Sequence, residues 1–369
     1  MKSVRLIFVL AICVSVFGGA YAQLAVTPTP KTYVCNRAPG AVTIDGSISE
    51  KEWGKAPWTD AFVDIEGDKQ PAPRFNTRTK MMWDDKYLYF AAKMEEPDLW
   101  ATLTENESVI FQDNDFEIFL DPDGDSHNYY EFEINALGTT WDLILGKAYR
   151  DGGPALTHWD LPGMKSAVQL QGSLNDPSDR DKGWTVEIAL PLAGFRELYR
   201  GKAPKVGDYW RMNLARVQWR LDAKNGKYAK KRDKRGKKLP ENNWVWSPQH
   251  VISLHKPECW GYLLFSGSAT GADAKKLAIN PDEEIRLWLY AAYAKQREFQ
   301  KRKGRFAKSF KELGVEDFTV NGKSLINPEI TAGPFGYALT AVSPFTGKAC
   351  GIRYDGKSWI GAEVKRKGS

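Results

Sequence analysis

The stretch that most constrains this chain is residues 113–142, DNDFEIFLDPDGDSHNYYEFEINALGTTWD. In its first half Phe116, Ile118 and Leu120 alternate with Glu117, Phe119 and Asp121, the period of a strand with one buried face. In its second half Tyr130, Phe132 and Ile134 alternate with Tyr129, Glu131, Glu133 and Asn135. Asp121-Pro-Asp-Gly-Asp-Ser between the halves is turn chemistry, so the stretch predicts a β-hairpin. Symmetric closure sets Leu120 against Tyr130, Ile118 against Phe132 and Phe116 against Ile134 on one apolar face. The same register sets Glu117 beside Glu133 on the other face, with Asp115 and Glu131 nearby. Like charges directly across a strand pair repel, so this face requires a cation, an arginine or a hydroxyl-rich ligand, or else it looks out on water.

Around the hairpin lie many short strand patterns. Residues 41–46 read as a strand running into a turn, and 77–83 and 87–94 flank the turn Asp84-Asp85-Lys86. Further patterns occupy 141–145, 166–170, 184–190, 210–219 and 260–265. Short strands separated by turn signals, with 14 Trp, 15 Tyr and 17 Phe to fill the space between two sheets, predict a mainly β, antiparallel β-sandwich. Residues 266–276 are rich in Ser, Gly and Ala and read as a linker. Beyond it Asn280-Pro-Asp-Glu283 is a helix-start signal, and Ile285, Trp288, Leu289, Ala292, Tyr293 and Phe299 predict an amphipathic helix ending near Gly304. A helical turn at 306–313 and strands at 338–342 and 349–354 complete a small α+β appendage. The expected organisation is a leader at 1–22, a spacer at 23–33, the sandwich at 34–268, a linker at 269–281 and the appendage at 282–369.

The leader rests on Lys2 and Arg5, an apolar run over 6–17, and Ala20-Tyr21-Ala22 as a small-residue cleavage site. Such a chain is expected to be exported to the periplasm or beyond. No later segment is apolar enough to span a bilayer. Past the leader, Cys35 and Cys259 open the first and last strand patterns of the sandwich and could be bridged if those strands are neighbours; the other reading is that these two and Cys350 are buried thiols. Residues 221–239 carry nine lysines and arginines against two aspartates, so this loop's net +7 exceeds the chain's +6. A solvated flexible loop is expected there, or a contact for an anionic glycan or envelope surface. An exported chain without a nucleic-acid motif leaves no case for nucleic acid as a partner.

The chain has no nucleophile elbow, phosphate-cradling loop, zincin helix or paired cysteine ligands, and His127, His158, His250 and His255 are widely separated. Asp121, Asp123 and Asp125 stand at alternate positions around a glycine, a spacing also used in calcium loops, without the later glutamate of an EF-hand. They are candidate metal ligands, or a plain hairpin turn.

Five motifs occur in a telling order: Thr43-Ile-Asp-Gly46 with Trp53; Met82-Trp-Asp-Asp-Lys-Tyr-Leu-Tyr89; Asn114-Asp-Phe-Glu-Ile-Phe-Leu-Asp121; Gly183-Trp-Thr-Val-Glu-Ile-Ala-Leu-Pro191; and Pro257 with Trp260-Gly261. In this order they resemble family 9 carbohydrate-binding modules, over residues 33–266. The resemblance implies a β-sandwich, often with structural calcium, whose xylanase-attached members bind the ends of glucan or xylan chains. It gives Glu117 the place of the glutamate that bonds sugar hydroxyls and Phe111 that of an aromatic six residues earlier, where the family has tryptophan. The opposing tryptophan falls near Leu254 or His255, and an arginine of the following strand is matched by Glu133. Tyr129, Trp141, Trp159 and Trp244 are further stacking candidates by type, because a pyranose packs its C–H face on a ring while carboxylates take its hydroxyls. The expected function is exported, non-catalytic carbohydrate binding in the breakdown of plant-type polysaccharide. The alternatives are a glycoside-processing enzyme using Glu117 or Glu133, and a haem-holding relative of the sandwich with Met82 and His127 as ligands.

Overall fold

The computed structural model describes Leu24 and residues 26–195 and 203–363; the expected leader lies outside the described residues. In chain order the first part forms β1 (Thr32–Arg37), β2 (Val63–Asp64), β3 (Thr77–Trp83), β4 (Tyr87–Glu95), β5 (Asp115–Asp121), β6 (His127–Asn135), β7 (Thr140–Lys147), β8 (Ala155–Leu156), β9 (Lys165–Gln171), β10 (Gly183–Pro191), β11 (Tyr209–Gln218), β12 (Leu221–Lys224), β13 (Lys227–Lys230), β14 (Asn242–Val245) and β15 (Gly261–Phe265). One hydrogen-bonded path runs β8-β7-β6-β5-β11-β15-β1-β3-β4-β10-β9, with β14 paired to β11 and β2.

β1 is the corner of this path. Thr32 to Cys35 pair with β15, whereas Asn36 and Arg37 pair with β3. The path therefore divides at β1 into two layers. The hairpin's Phe116, Ile118, Leu120, Tyr130, Phe132 and Ile134 meet Leu88, Phe90, Trp184, Val186 and Ile188 of the other layer in one core. The fold is thus the expected mainly β sandwich. Both pairings of β1 are parallel, an exception to the antiparallel pattern, which the long connection from β1 to β3 permits.

The hairpin closes in the expected register, with Phe116 opposite Ile134, Glu117 opposite Glu133 and Leu120 opposite Tyr130. Two other expectations change. Residues 41–46 form no strand: the Asp45 and Gly46 N–H groups donate to Glu187 Oε2 at 3.0 and 2.9 Å, and Trp53 Nε1 donates to Oε1 at 2.6 Å. A side chain of β10 therefore replaces the ladder. Gly46 is required there, since its φ is +87° and a Cβ would come within 2.6 Å of the Val168 carbonyl carbon. The basic loop is ordered as the β12–β13 hairpin, with Lys230 Nζ 3.5 Å from the Trp219 ring centroid. Its turn is Asn225-Gly226, both at positive φ, the strongest short hairpin signal in the segment, and it outweighs the mutual repulsion of the lysines.

Among the described residues Cys35, Cys259 and Cys350 are buried free thiols. Cys35 lies within β1 opposite Phe265, while Cys259 closes a turn before β15 and sets its Sγ against the Gln249 carbonyl at 3.7 Å.

The second part comprises α1 (Asp282–Lys303), β16 (Thr319–Val320), β17 (Lys323–Ser324), β18 (Ile326–Ala332), β19 (Tyr337–Val342), β20 (Lys348–Arg353) and β21 (Ser358–Glu363), the last four in one sheet in that order. Asn280 Oδ1 accepts the Asp282 N–H at the helix start, and Gly304 ends the helix in the left-handed conformation. Trp288, Leu289 and Tyr293 of α1 pack on Leu339 and Ile352 in a separate core, which Leu24 joins. The expected spacer is therefore tied down, with Thr29 Oγ1 donating to Glu284 at 2.8 Å. No helix among the described residues is long and apolar enough to cross a membrane.

Across the sandwich, Arg216 of β11 reaches the far layer. Its Nη2 lies 3.0 Å from Glu96, its Nη1 3.0 Å from Thr77 Oγ1 and its Nε 2.9 Å from Gln218, with Trp244 beneath the guanidinium at 5.3 Å. Burial holds Glu96 above the usual carboxylate range and Arg216 below its own, so each depends on the other. Breaking such a pair from one side costs about 3–5 kcal/mol, because a buried charge is left behind. Arg216→Met is therefore expected to lower stability by that order in urea denaturation, and Arg216→Met with Glu96→Leu to recover much of the loss. A double variant no more stable than the single one would show that the two groups are not coupled.

Candidate functional site

The acidic face of the β5–β6 hairpin is covered. Asp115, Glu117, Glu131 and Glu133 are 0–4% exposed, beneath a lid made by residues 103–113 and 246–260. Asp113 anchors the first lid segment by accepting the N–H groups of Thr102 and Leu103 at 2.6 and 2.8 Å, and Asn135 Nδ2 donates to the Leu103 carbonyl at 2.8 Å. Trp260 Nε1 and Gln249 Nε2 both donate to the Leu254 carbonyl, at 2.9 and 3.0 Å, and so shape the second.

Between the lid segments and the sheet lies a cavity of about 270 Å³, with Glu117, Glu131 and Glu133 at its floor and Phe111, Trp141, Tyr149 and His255 among its walls. All four expected ligand residues, Phe111, Glu117, Glu133 and His255, thus line one cavity. Glu133 Oε2 accepts the Phe111 N–H at 2.9 Å, so the carboxylate in the expected arginine's place fixes the backbone of the stacking residue. His255 Nδ1 is 2.9 Å from Tyr129 Oη, and burial lowers its pKa to about 4, so it is a neutral wall at ordinary pH.

Tyr149 was not foreseen. It is half exposed, stands 4.4 Å from His255 ring to ring, and comes from a short turn after β7, where no periodicity marks it. Being aromatic in a loop was the only signal it offered. Of the stacking candidates, Phe111 and Trp141 reach the cavity, while Tyr129 is buried behind His255. Trp159, in the loop between β8 and β9, is partly buried and packs on Tyr130 at 5.4 Å, and Trp244 of β14 lies between the sheets, so both are engaged by the core and not by the cavity.

Several oxygens of the floor lack partners. Asp115 Oδ1 accepts the Val217 N–H at 3.0 Å, but Asp115 Oδ2, Glu117 Oε2 and Glu131 Oε2 are buried and unpartnered. Burial first, and then a neighbouring carboxylate, pushes Asp115, Glu131 and Glu133 well above the usual carboxylate range and Glu117 up to about 8. No lysine or arginine lines the cavity among the described residues. Arg150, beside Tyr149, is held by Glu258 through two bonds of 2.6 and 2.8 Å.

The expected calcium ligands Asp121, Asp123 and Asp125 converge, with ligand oxygens within 4.8 Å of one another. Those oxygens are already engaged: Asp121 accepts the Gly124 and Ser126 N–H groups at 2.9 and 2.8 Å, and Asp125 accepts the His127 N–H and pairs with Lys357 Nζ, both at 2.8 Å. A calcium ion there would have to displace the lysine, so the turn fits the ion poorly and closes on its own hydrogen bonds. Met82 and His127 are set apart, Met82 packed under Trp53 and His127 Nε2 bonded to the Asp355 carbonyl at 3.0 Å. A more open depression of about 450 Å³ involves Trp58, but Lys80 Nζ lies 4.8 Å from that ring centroid and occupies a face a sugar would need.

Comparison with known proteins bears on this geometry. The chain is 26% identical over 157 residues to endo-1,4-beta-xylanase C of Paenibacillus barcinonensis, a match covering 42% of this chain and 12% of that one. It is 30% identical over 156 residues to exoglucanase XynX of Acetivibrio thermocellus, covering 41% and 12% respectively. The chain therefore spans only about an eighth of these relatives, 12% of each. Among solved structures, a putative carbohydrate-binding protein from Bacteroides uniformis is 18% identical with a TM-score of 0.48, covering 64% of this chain and all (100%) of that one. A family 9 carbohydrate-binding module from Caldicellulosiruptor kristjanssonii in complex with cellotriose is 17% identical with a TM-score of 0.43, covering 68% and 100%. The family model described as carbohydrate family 9 binding domain-like matches residues 44–204, which hold β2 to β10, the four carboxylates of the hairpin's acidic face and most of the cavity's aromatic wall. Residues 44–204 of this chain thus match the carbohydrate family 9 binding domain-like model.

Proposed function

We propose that this protein binds carbohydrate in the Glu117 pocket without cleaving it, outside the cytoplasm, as part of plant-type polysaccharide breakdown. The observation that carries this reading is the meeting of aromatic walls with buried, unpartnered carboxylate oxygens in one small cavity. Rings offer faces to sugar C–H groups and the oxygens accept hydroxyls. At about 270 Å³ the cavity lies below the roughly 300–1,000 Å³ of sites for drug-sized ligands, which suits the end of a glycan more than a long stretch of it. The leader pattern supports export, and the relatives' names, a xylanase and an exoglucanase, support a plant-wall glycan.

Hydrolysis is disfavoured by placement. A glycosidase needs two carboxylates on either side of the scissile bond. Glu117 and Glu133 are cross-strand neighbours that rise side by side from one floor, which sets both on the same side of a bound sugar. Incubation with xylo- and cello-oligosaccharides is expected to release no new reducing ends; release that Glu117→Gln abolishes would establish an enzyme instead.

A charge-assisted bond to a sugar hydroxyl is worth about 1.5–3 kcal/mol, so Glu117→Gln is expected to weaken oligosaccharide binding roughly tenfold or more in calorimetry. Its melting temperature should match the parent's at acid pH and exceed it increasingly as pH rises from about 4.5 to about 8, because burial and the neighbouring carboxylate make an ionised Glu117 costly in the fold and the amide removes that charge. Tyr149→Ala is expected to weaken binding roughly two- to tenfold through loss of a stacking face, with stability kept, since the ring is half exposed. If both variants bind as tightly as the parent, sugar binds elsewhere on the protein.

A further inference from the structure

We infer that the floor of this pocket is a divalent-cation site, with Asp115, Glu117 and Glu133 as its ligands, through which the pocket holds neighbouring hydroxyls of its sugar. The bridging half of this inference rests on the carbohydrate reading; the cation half does not.

Three carboxylates from β5 and β6 bring ligand oxygens within 4.8 Å of one another, and all three residues are buried. Calcium holds its oxygens at about 2.3–2.6 Å, so oxygens on opposite sides of the ion stand about 5 Å apart. The size of the cluster suits such an ion. Its environment shows that it is more than a solvated acidic patch: Asp115 Oδ2, Glu117 Oε2 and, beside them, Glu131 Oε2 are buried without a hydrogen-bond partner. A buried carboxylate oxygen without a partner carries a desolvation cost that nothing on the protein offsets here.

The other two carboxylate groupings of the described residues are largely supplied from within, with Glu50 Oε2 the one unpartnered buried oxygen between them. The hairpin turn has Lys357 and three backbone N–H groups. In the grouping of Asp45, Glu50 and Glu187, both Glu187 oxygens accept N–H groups, from Trp53 and from Asp45 and Gly46, and Asp45 is open to solvent. The pocket floor has neither a lysine nor an arginine, and His255 Nε2 is 3.9 Å from Glu131, beyond hydrogen-bond reach.

The class of cation follows from the donors. Four neighbouring carboxylates are poorly balanced by one ammonium group, whereas a divalent ion offsets two charges. The three ligands are all carboxylate oxygen, and the one nearby imidazole engages Tyr129 through Nδ1 and reaches only Glu131, outside the three, with Nε2, which favours calcium over zinc or copper. Three carboxylates leave part of a shell of 6–8 oxygens unfilled. Glu117 and Glu133 line the cavity as well, whereas Asp115 lies behind them, so two sugar hydroxyls entering the cavity can complete the shell while Phe111, Trp141 and Tyr149 flank the ring.

The test uses the full chain, stripped with chelator, titrated calorimetrically first with calcium chloride and then with cello- and xylo-oligosaccharides in calcium or in EDTA. The expected result is one calcium ion per chain, lost in Glu117→Gln and kept in Tyr149→Ala and Asp123→Asn, with sugar affinity about tenfold or more lower in EDTA and restored by calcium. Glu117→Gln is nearly isosteric and makes no backbone bond, so a folded variant is available even if Asp115→Asn fails to fold. Sugar binding that is equal in EDTA, with no calcium uptake, overturns the inference and leaves the carbohydrate reading standing. Calcium uptake without binding of any sugar supports the ion site but overturns both the bridging role and the carbohydrate reading. Calcium uptake lost in Asp123→Asn and kept in Glu117→Gln moves the ion to the hairpin turn and overturns the inference. Glucosamine oligosaccharides binding in EDTA, where neutral ones do not, assign the floor to an ammonium group and overturn it too.

Discussion

Glu117 and Glu133 face each other because Phe116, Ile118 and Leu120 must meet Ile134, Phe132 and Tyr130 on the opposite face of the same hairpin. Side chains alternate strictly along a strand, so a slip of one residue would send the apolar set out of the core and the acids into it. The hydrophobic gain on one face therefore holds together like charges that repel on the other. Burial then deepens the conflict, since the lid removes the water that would have screened them. The conflict cannot be relaxed by changing register, because the core forbids it. What remains is to take up protons, as the raised pKa values of these groups express, or to bind a ligand that accepts the hairpin as it stands.

The hairpin register, the strand patterns and the meeting of Phe111, Glu117, Glu133 and His255 in one cavity were legible in the sequence because each depends on local alternation or on an ordered motif. Those motifs turn out to be knots between distant segments. Asp45-Gly46 and Trp53 close on Glu187, and Asp84 turns β3 into β4 by accepting the Lys86 and Tyr87 N–H groups at 2.7 and 2.8 Å and the Tyr89 hydroxyl at 2.8 Å. The first knot also explains why 41–46 misleads: its alternation is that of a strand, but its N–H groups have a carboxylate to go to.

What was not legible depends on parts of the chain meeting that no local pattern relates. The acidic face could have looked out on water; it is buried because residues 103–113 and 246–260 cross over it, and the second of these lies beyond the family match that ends at 204. Val217, Asn243 and 252–255 complete the cavity from the same later region. In the basic segment the weight of nine cations hid Asn225-Gly226, although backbone conformation at a turn is decided by those two residues and not by the charges around them.

The appendage is joined to this arrangement through side chains rather than through a shared core. Arg297 of α1 donates to the Arg150 carbonyl and to Asp151, each at 2.7 Å, and Tyr293 donates to the same aspartate. Arg150 and Asp151 directly follow Tyr149, the most exposed aromatic of the pocket wall. Lower on the helix, Tyr290 donates to Ser126 Oγ at 2.6 Å, and Lys357, ahead of β21, pairs with Asp125, so the turn joining β5 to β6 is held by the appendage as well. The helix thus fixes both the hairpin that carries the floor and the turn that carries one wall. Tyr149 is held through its chain neighbours Arg150 and Asp151 by α1 and through its ring by His255, although the family match includes no residue of the appendage.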